Sequence, residues 1–299
     1  MNYVCYMRYI LITTLLILFA AASSMAQRSC CLSPVQAFAG FGNEKGFVMA
    51  HEPPQRLAFE PKIGKMVSLK TDDGREVAVF EVKTGASIGK IILMFHEWWG
   101  MTDQMKQAAE KLHVETGATV LLLDLYDRKV TYNPDSAAKM MQAVNPERAQ
   151  SIIRAAIEYG GKFSRFQTIG WCMGGGWSLQ AAITAGDKGY GCVIYSGMPE
   201  FDVAKLKQLK GPVMGIYGKR DNWISPELVN EFDGRMKLAN IPFTVYSYDA
   251  DHAFANPSNP KFNKDATEKA NALTVAFLKK NFETPLRKAE GGTEEKTDH

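Results

Sequence analysis

A strong bias of charge is missing from this sequence of 299 residues. Lys and Arg together number 35 against 32 for Asp and Glu, which gives a formal net charge of +3 at pH 7. A chain so close to neutrality offers no electrostatic reason to expect a nucleic acid or an anionic surface as partner. Internal repeats and low-complexity stretches are missing from the central region as well, and a hydrophobic fraction of 46% is ordinary for a globular chain.

Cysteine is scarce. The sequence has five cysteines, and Cys5 lies in the N-terminal leader described below. The other four do not have the spacing of a disulfide framework. Cys192 lies in an apolar, strand-like context and is interpreted as a small core residue. Cys30 and Cys31 are adjacent, and they can pair with each other, pair with another chain or stay free.

An apolar run long enough to span a membrane is also missing. Residues 1–8 carry one positive charge and no acid, residues 9–22 are almost entirely apolar, and small residues lead to Ala26. This pattern predicts a secretory signal peptide over residues 1–26, with an exported protein, periplasmic or secreted. An uncleaved membrane anchor is the alternative, but the apolar core is short for a span. Lipidation of Cys30 fits less well because Arg28 lies just before it.

The rest of the chain predicts one domain with two flanking segments. Residues 27–63 show little periodicity, and we interpret them as an N-terminal extension, either an extended arm or loosely packed. Residues 64–283 alternate strand-like and helix-like patterns. Residues 284–299 are polar and charged, which predicts a disordered C-terminal tail.

Alternation of strands and helices predicts a mostly parallel central sheet with helices on both faces. The predicted strands cover residues 66–70, 76–82, 91–95, 119–123, 167–170, 192–195, 213–217 and 243–248. The predicted helices cover residues 103–116, 135–159 with a break near Pro146, 173–185, a helix opening at Ser225 and 265–281. In sheets of this kind the functional sites lie at the carboxyl ends of the strands.

One such strand end carries the most informative motif, Gly170-Trp171-Cys172-Met173-Gly174. This G-x-C-x-G has the spacing of the nucleophile elbow of the α/β-hydrolase fold, with cysteine in place of serine. The glycines allow a sharp turn from strand to helix, which exposes the central side chain at the edge of the sheet. A helix N-terminus at this point favours a thiolate. Cys172 is therefore the candidate nucleophile.

An acid and a histidine follow two later strands in the order that this fold requires. Asp221 comes after the strand over residues 213–217, and His252 after the strand over residues 243–248. His252 is the candidate base and Asp221 the residue that orients its imidazole. Asp249 or Asp251 could replace Asp221 as the acid. Four other histidines lie in less suitable places, namely His51 in the extension, His96, His113 and His299.

With these residues assembled, the sequence between about residues 66 and 282 resembles the dienelactone hydrolase family. The similarity rests on the elbow, on Gly218-Lys219-Arg220-Asp221, on Asp251-His252-Ala253-Phe254, on His96-Glu97-Trp98-Trp99-Gly100 and on Asp124-Leu125-Tyr126. The resemblance implies that Glu97 interacts with the resting thiol and takes part in its activation. The backbone N–H groups of Trp98 and Met173 are the expected oxyanion hole.

The sequence departs from the family at the substrate-binding arginine, whose position is occupied here by Asn256. Preference for an anionic lactone is therefore not expected. Trp99, Tyr126 and Trp223 are candidates, with Asn256, for an aromatic-lined substrate site, although each aromatic residue could instead belong to the core. We expect no cofactor and no metal.

The sequence as a whole predicts a hydrolase of small carboxylic esters or lactones that uses a Cys-His-Asp triad and an acyl-cysteine intermediate. Two alternatives are a non-catalytic envelope binding protein on the same fold and a thiol redox sensor. The presence of the complete set of catalytic residues favours the hydrolase. We expect a small-molecule substrate, no nucleic-acid partner and no stable membrane span once the leader is cleaved, while the oligomeric state is left open.

Overall fold

A computed structural model of the protein describes residues 33–85, 87 and 89–285. The predicted signal peptide over residues 1–26 lies outside the described residues. The same holds for the first residues of the extension, which include Cys30 and Cys31, and for the tail beyond residue 285.

Eight strands form one sheet whose order is β1-β2-β4-β3-β5-β6-β7-β8. β1 and β2 pair antiparallel, β2 pairs antiparallel with β4, and the remaining neighbours are parallel. The strands are β1 Lys65–Lys70, β2 Glu76–Val82, β3 Lys90–Phe95, β4 Thr119–Leu123, β5 Arg165–Trp171, β6 Gly189–Tyr195, β7 Val213–Gly218 and β8 Phe243–Tyr248. The predicted α/β-hydrolase fold with a mostly parallel sheet is confirmed.

Helices cover both faces of this sheet and bury one apolar cluster on each side. In the domain they are α3 Asp103–Thr116, α4 Pro134–Gln142, α5 Pro146–Gly160, α6 Met173–Ala185, the short α7 Val203–Leu206, α8 Pro226–Ala239 and α9 Lys264–Glu283. The predicted break near Pro146 is confirmed, because Asn145 caps the second helix and Pro146 is its first residue. Within the described ranges, none of the helices combines the length and the apolar character that crossing a membrane requires.

The N-terminal extension differs from the sequence interpretation. The expectation of an extended or loosely packed arm is wrong for residues 33–50, which form α1 (Pro34–Gly40), a 3₁₀ turn (Phe41–Asn43) and α2 (Lys45–Ala50). Ser33 and Gln36 form a capping box at the start of α1. Val35, Phe38 and Phe47 are buried against the domain. Tertiary packing, more than local propensity, stabilises such short helices. We call residues 33–50 the helical pair.

A linking segment, residues 51–64, connects the helical pair to β1 and is held to the domain through its backbone. The carboxylate of Glu110 on α3 accepts hydrogen bonds from the amides of Lys62, Ile63 and Gly64 at 2.9, 2.7 and 2.7 Å. The amide of Gln55 donates to the carbonyl of Ser258 at 2.9 Å. The linking segment is therefore fixed at both its middle and its end.

Candidate active site

The turn between β5 and α6 has the conformation that the elbow motif predicts. Cys172 has φ of 56° and ψ of −122°, a left-handed region that costs a non-glycine residue about 1–3 kcal/mol. Its amide donates to the carbonyl of Tyr195 at 2.8 Å. A Cβ atom on Gly170 would lie 2.0 Å from the Gly174 carbonyl oxygen, and one on Gly174 would lie 2.5 Å from that of His96. Only glycine fits at these two positions, so the elbow places Cys172 rigidly at the sheet edge.

His252 and Asp221 meet at the same edge. The Nδ1 atom of His252 lies 2.7 Å from Oδ2 of Asp221, while Oδ1 of Asp221 accepts hydrogen bonds from the amides of Trp223 and Ile224, both at 2.9 Å. Burial alone would raise the pKa of Asp221, but His252 and the two amides hold it below its ordinary value. Burial would likewise lower the pKa of His252, yet the negative charges of Asp221 and Cys172 raise it well above its ordinary value.

The two other acids that sequence reasoning considered do not contact His252 in this way. The side chain of Asp249 is 81% exposed and forms an ion pair with Arg220. Asp251 lies 3.6 Å from the same guanidinium group. The geometry therefore selects Asp221 as the partner of His252.

A second histidine comes to the site from outside the predicted domain. His51 directly follows α2, and its Nδ1 donates to the carbonyl of Phe47 at 2.7 Å. One ligating atom each of His51, Cys172 and His252 all lie within 4.8 Å of one another. Burial and then the proximity of His252 lower the pKa of His51 to about 3. Sequence reasoning set His51 aside because it lies in the extension.

Aromatic rings of the helical pair pack against His252. The rings of Phe38 and Phe47 lie 6.2 and 6.4 Å from that of His252. Phe47 also packs against Trp98 at 5.4 Å and against Trp223 at 5.1 Å. As a result Cys172 and His252 are only 2% and 8% exposed. Both side chains are therefore largely shielded from solvent.

Glu97 is buried in the loop after β3 and is held by Asn256. The Nδ2 atom of Asn256 donates to Oε2 of Glu97 at 2.6 Å, and its Oδ1 accepts from the amide and the hydroxyl of Ser258. Burial raises the pKa of Glu97 to about 7, against smaller opposing effects of Asn256 and His252. Both ends of the Asn256 side-chain amide are therefore hydrogen-bonded within the protein.

His96 fixes the loop that carries Glu97. Its Nδ1 donates to the carbonyl of Glu97 at 2.6 Å, and its Nε2 accepts from the amide of Leu125 at 3.1 Å. Because both ring nitrogens are used, His96 ties the ends of β3 and β4 together. Trp98 follows in the same loop after β3, whereas Met173 directly follows Cys172 and begins α6, so the two expected oxyanion donors belong to separate elements of the chain.

The predicted aromatic site residues occupy different places. Trp223 is partly buried and stacks against the helical pair, with its ring 5.6 Å from that of Phe41. Trp99 and Tyr126 are buried beneath the loops, where the hydroxyl of Tyr126 donates to Sδ of Met173 at 3.2 Å. Trp223 thus packs with the aromatic rings of the helical pair.

Two cavities reach the neighbourhood of the nucleophile. The larger, of about 1040 Å³, is lined by residues that include Glu97, Trp171 and Asn256. The second, of about 400 Å³, lies where α1 meets Met173 and Trp177. The larger cavity is thus lined by Trp171 and the smaller by Met173, the two chain neighbours of Cys172, and each is large enough for a small organic molecule.

Comparison with known proteins agrees with this fold and site. The family model "Dienelactone hydrolase family" matches residues 78–282. A carboxymethylenebutenolidase of Pseudomonas sp. (strain P51) is 27% identical over 210 residues, covering 64% of this chain and 85% of the relative. The protein usf of Aquifex pyrophilus is 24% identical over 204 residues, covering 64% and 88%.

Solved structures show the same fold. A putative dienelactone hydrolase from Klebsiella pneumoniae aligns with a TM-score of 0.62 at 18% identity, covering 72% of this chain and 98% of that one. The dienelactone hydrolase-like promiscuous phosphotriesterase P91, from metagenomic libraries, aligns with a TM-score of 0.62 at 17% identity, covering 73% and 98%. The predicted enzyme class, an ester or lactone hydrolase, is confirmed at the level of the family. The chain belongs to the dienelactone hydrolase family.

Proposed function

We propose that this protein hydrolyses small carboxylic esters or lactones by covalent catalysis at Cys172. The observation that carries the proposal is the arrangement of Asp221, His252 and Cys172. Asp221 and His252 form a hydrogen bond of 2.7 Å, and Cys172, which lies on the strained elbow, has its sulfur atom within 4.8 Å of the His252 imidazole. A nucleophile, a base and a group that orients the base are the parts that acyl transfer requires.

The proton begins on the thiol and ends on the leaving group. His252 removes the thiol proton, and its raised pKa favours the imidazolium–thiolate pair. The thiolate attacks the acyl carbon, and the amides of Trp98 and Met173 stabilise the oxyanion. His252 then protonates the departing alkoxide, which in a lactone remains attached to the acyl chain. Water activated by His252 finally hydrolyses the acyl-cysteine.

Glu97 is proposed to act as a second proton acceptor in the resting enzyme. Its pKa of about 7 allows the carboxyl group to take up or release a proton near neutrality. The N–H of Asn256 stabilises the ionised form, while burial favours the neutral form. Entry of a substrate changes the solvation of this group, which can shift the proton towards either partner.

The substrate is proposed to be small and uncharged. Phe38, Phe47 and Trp223 form an apolar wall around His252. Asn256 stands where the family has a carboxylate-binding arginine, and its amide is already bonded to Glu97 and Ser258. Both features favour neutral, short or aromatic esters and lactones over carboxylated lactones.

Trapping of the intermediate tests this proposal directly. Enzyme quenched during turnover of a short nitrophenyl ester is expected to carry the acyl group on Cys172, as seen by mass spectrometry of peptides. Cys172→Ala is expected to lose both the adduct and the burst of nitrophenol. Cys192→Ala is the matched control, because Cys192 is the other free cysteine among the described residues and lies buried in the core. Full activity in Cys172→Ala would refute covalent catalysis at this residue.

We also propose that the protein is exported. The leader pattern of residues 1–26 supports this proposal. Sequencing the N-terminus of the protein purified from cell fractions tests it: an exported protein begins near residue 27, whereas an intact leader in the cytosolic fraction contradicts export.

A further inference from the structure

The arrangement of His51 suggests a function that the proposed hydrolysis does not use. His51, Cys172 and His252 are all buried, and one potential ligand atom of each lies within 4.8 Å of the other two. The Nε2 atoms of both histidines have no hydrogen-bond partner among the described residues. Buried ring nitrogens are normally satisfied. Cys172 is the proposed partner of Nε2 of His252, so the Nε2 atom of His51 is the nitrogen in this cluster that a ligand would satisfy.

Each imidazole is held in the orientation that metal ligation requires. Nδ1 of His51 can only donate to the carbonyl of Phe47, which leaves a lone pair on Nε2. Nδ1 of His252 bonds to the carboxylate of Asp221, which stabilises the same arrangement. Metal-binding histidines characteristically donate their other N–H to a carboxylate or a backbone carbonyl. The structure contains one example of each kind.

The ligand set selects the type of cation. One thiolate and two imidazoles favour a borderline-soft divalent ion, above all Zn²⁺. In an ideal tetrahedral site, zinc distances of about 2.3 Å to sulfur and about 2.0 Å to nitrogen require ligand atoms separated by about 3.3–3.6 Å. Since the ligand atoms lie within 4.8 Å of one another, binding requires them to approach by up to about 1.2–1.5 Å. A fourth position remains for water.

We propose that Zn²⁺ binds reversibly to Cys172, His252 and His51, and that this binding blocks hydrolysis. The sulfur and Nε2 of His252 then both hold the metal and neither can react; this second part rests on the proposed function. The thiol–imidazole pair shares one proton, which zinc displaces, so that binding releases one proton to the buffer. The metal undergoes no redox step.

Direct binding of Zn²⁺ to the full chain tests the proposal. The protein used carries Cys30→Ser and Cys31→Ser, because this adjacent pair of thiols could otherwise bind zinc. The metal-free protein is titrated with Zn²⁺ by calorimetry in two buffers of different ionisation enthalpy. We expect one Zn²⁺ per chain and one proton released. Co²⁺ in place of Zn²⁺ is expected to give the thiolate charge-transfer and tetrahedral bands of a Cys-His₂ site.

Two variants remove ligands and two control for structural damage. His51→Gln and Cys172→Ala are each expected to weaken Zn²⁺ binding at least about tenfold. Loss of a residue that only hydrogen-bonds to a metal ligand already weakens metal binding by about this factor. His113→Gln is the matched histidine control, because His113 is also buried with its Nδ1 on a backbone carbonyl, that of Ala118, at 2.6 Å. Cys192→Ala is the matched cysteine control. Both controls are expected to bind Zn²⁺ as the parent does.

The outcomes separate this proposal from the proposed function. Failure of the parent protein to bind Zn²⁺, or unchanged binding in a folded His51→Gln protein, overturns the three-ligand site even if ester hydrolysis is observed. If His51→Gln fails to fold, His51→Asn is measured in its place. Zinc binding with the expected ligand dependence, in a protein that cleaves no ester, supports the site and refutes the proposed function alone.

Discussion

The catalytic domain and the helical pair meet at one site, but the family model matches only the domain. The family model matches residues 78–282 and begins well after the helical pair. The domain supplies Cys172, Asp221 and His252, whereas the helical pair supplies Phe38 and Phe47, and His51 follows as the first residue of the linking segment. The predicted catalytic residues therefore lie within the part of the chain that the family model matches, and the rings that pack against His252 lie before it. We expect changes in the first region to affect kcat and changes in the second to affect selectivity.

The largest effect is expected in the domain. Asp221→Asn leaves the imidazole of His252 without the carboxylate that fixes its tautomer and stabilises its charge. Ester hydrolysis should fall by about 10²–10⁴-fold in kcat, with a smaller change in KM. Stopped-flow and steady-state assays with a nitrophenyl ester measure this loss.

Asp249→Asn is the control for that change, because Asp249 is exposed and paired with Arg220. It should remain near wild type. An inactive Asp249→Asn protein together with an active Asp221→Asn protein would show that the acid is wrongly assigned. The assignment of Asp221 to the catalytic residues of the domain would then be wrong.

The next effect concerns the charge of the substrate. A charged hydrogen bond contributes about 1.5–3 kcal/mol, equivalent to roughly ten- to more than a hundredfold in kcat/KM. Since Asn256 supplies no such cation, a neutral lactone should be cleaved with a higher kcat/KM than its carboxylated counterpart. Asn256→Arg, which adds a cation beside Glu97, should narrow the difference. A wild-type preference for the carboxylated lactone would indicate another cation, such as Lys139 or Arg128.

A change in the helical pair should alter selectivity by a smaller factor. Phe47→Ala removes a ring that contacts Trp98, Trp223 and His252. The kcat/KM for a bulky ester, divided by the kcat/KM for an acetate ester, should rise about tenfold. This change is within the range of 1–3 kcal/mol by which an apolar pocket discriminates between substrates of different shape. Phe163→Ala, at a site 75% exposed, should leave the ratio unchanged. An unchanged ratio in Phe47→Ala as well would mean that the helical pair does not contact substrate.

The last effect is on stability and not on activity, and it depends on pH. Glu97 has a pKa of about 7 in the folded protein, against an ordinary value of 4.5. Between these values the folded state binds more protons, so the free energy of unfolding decreases as pH rises from 4.5 to 7, by up to about 1.4 kcal/mol per pH unit. Glu97→Gln should flatten this slope in urea titrations. Glu231→Gln, with an exposed side chain on α8, should retain it.

Sequence patterns located the domain elements well because local signals and burial coincide there. The bounds of α3 and α6 agree with the structure to the residue, since Thr102 and Gly117 delimit the first and the elbow delimits the second. The proximity of Cys172, Asp221 and His252 could be predicted, because parallel strands bring their carboxyl ends to a common edge.

The helical pair could not be found in the same way. Helices of seven and six residues are too short to show a periodic apolar face. A readable signal was present nevertheless: Ser33 followed by Pro34 and by Gln36 forms a capping box with proline at the first helical position. That signal predicts the start of a helix in the sequence but not the surface of the domain against which the helix packs. The contact of His51 with Cys172, and that of Glu97 with Asn256 across 159 residues of chain, arise only from tertiary structure.

The way in which Glu110 holds the linking segment bears on how this enzyme can be engineered. The carboxylate accepts hydrogen bonds from three consecutive backbone N–H groups. These hydrogen bonds do not involve the side chains of the residues that precede Lys62. Segments of different length and composition can therefore be grafted upstream of residue 62 while the junction with the catalytic domain is preserved. A library of such N-terminal cassettes, on one unaltered domain, offers a modular route to new substrate ranges.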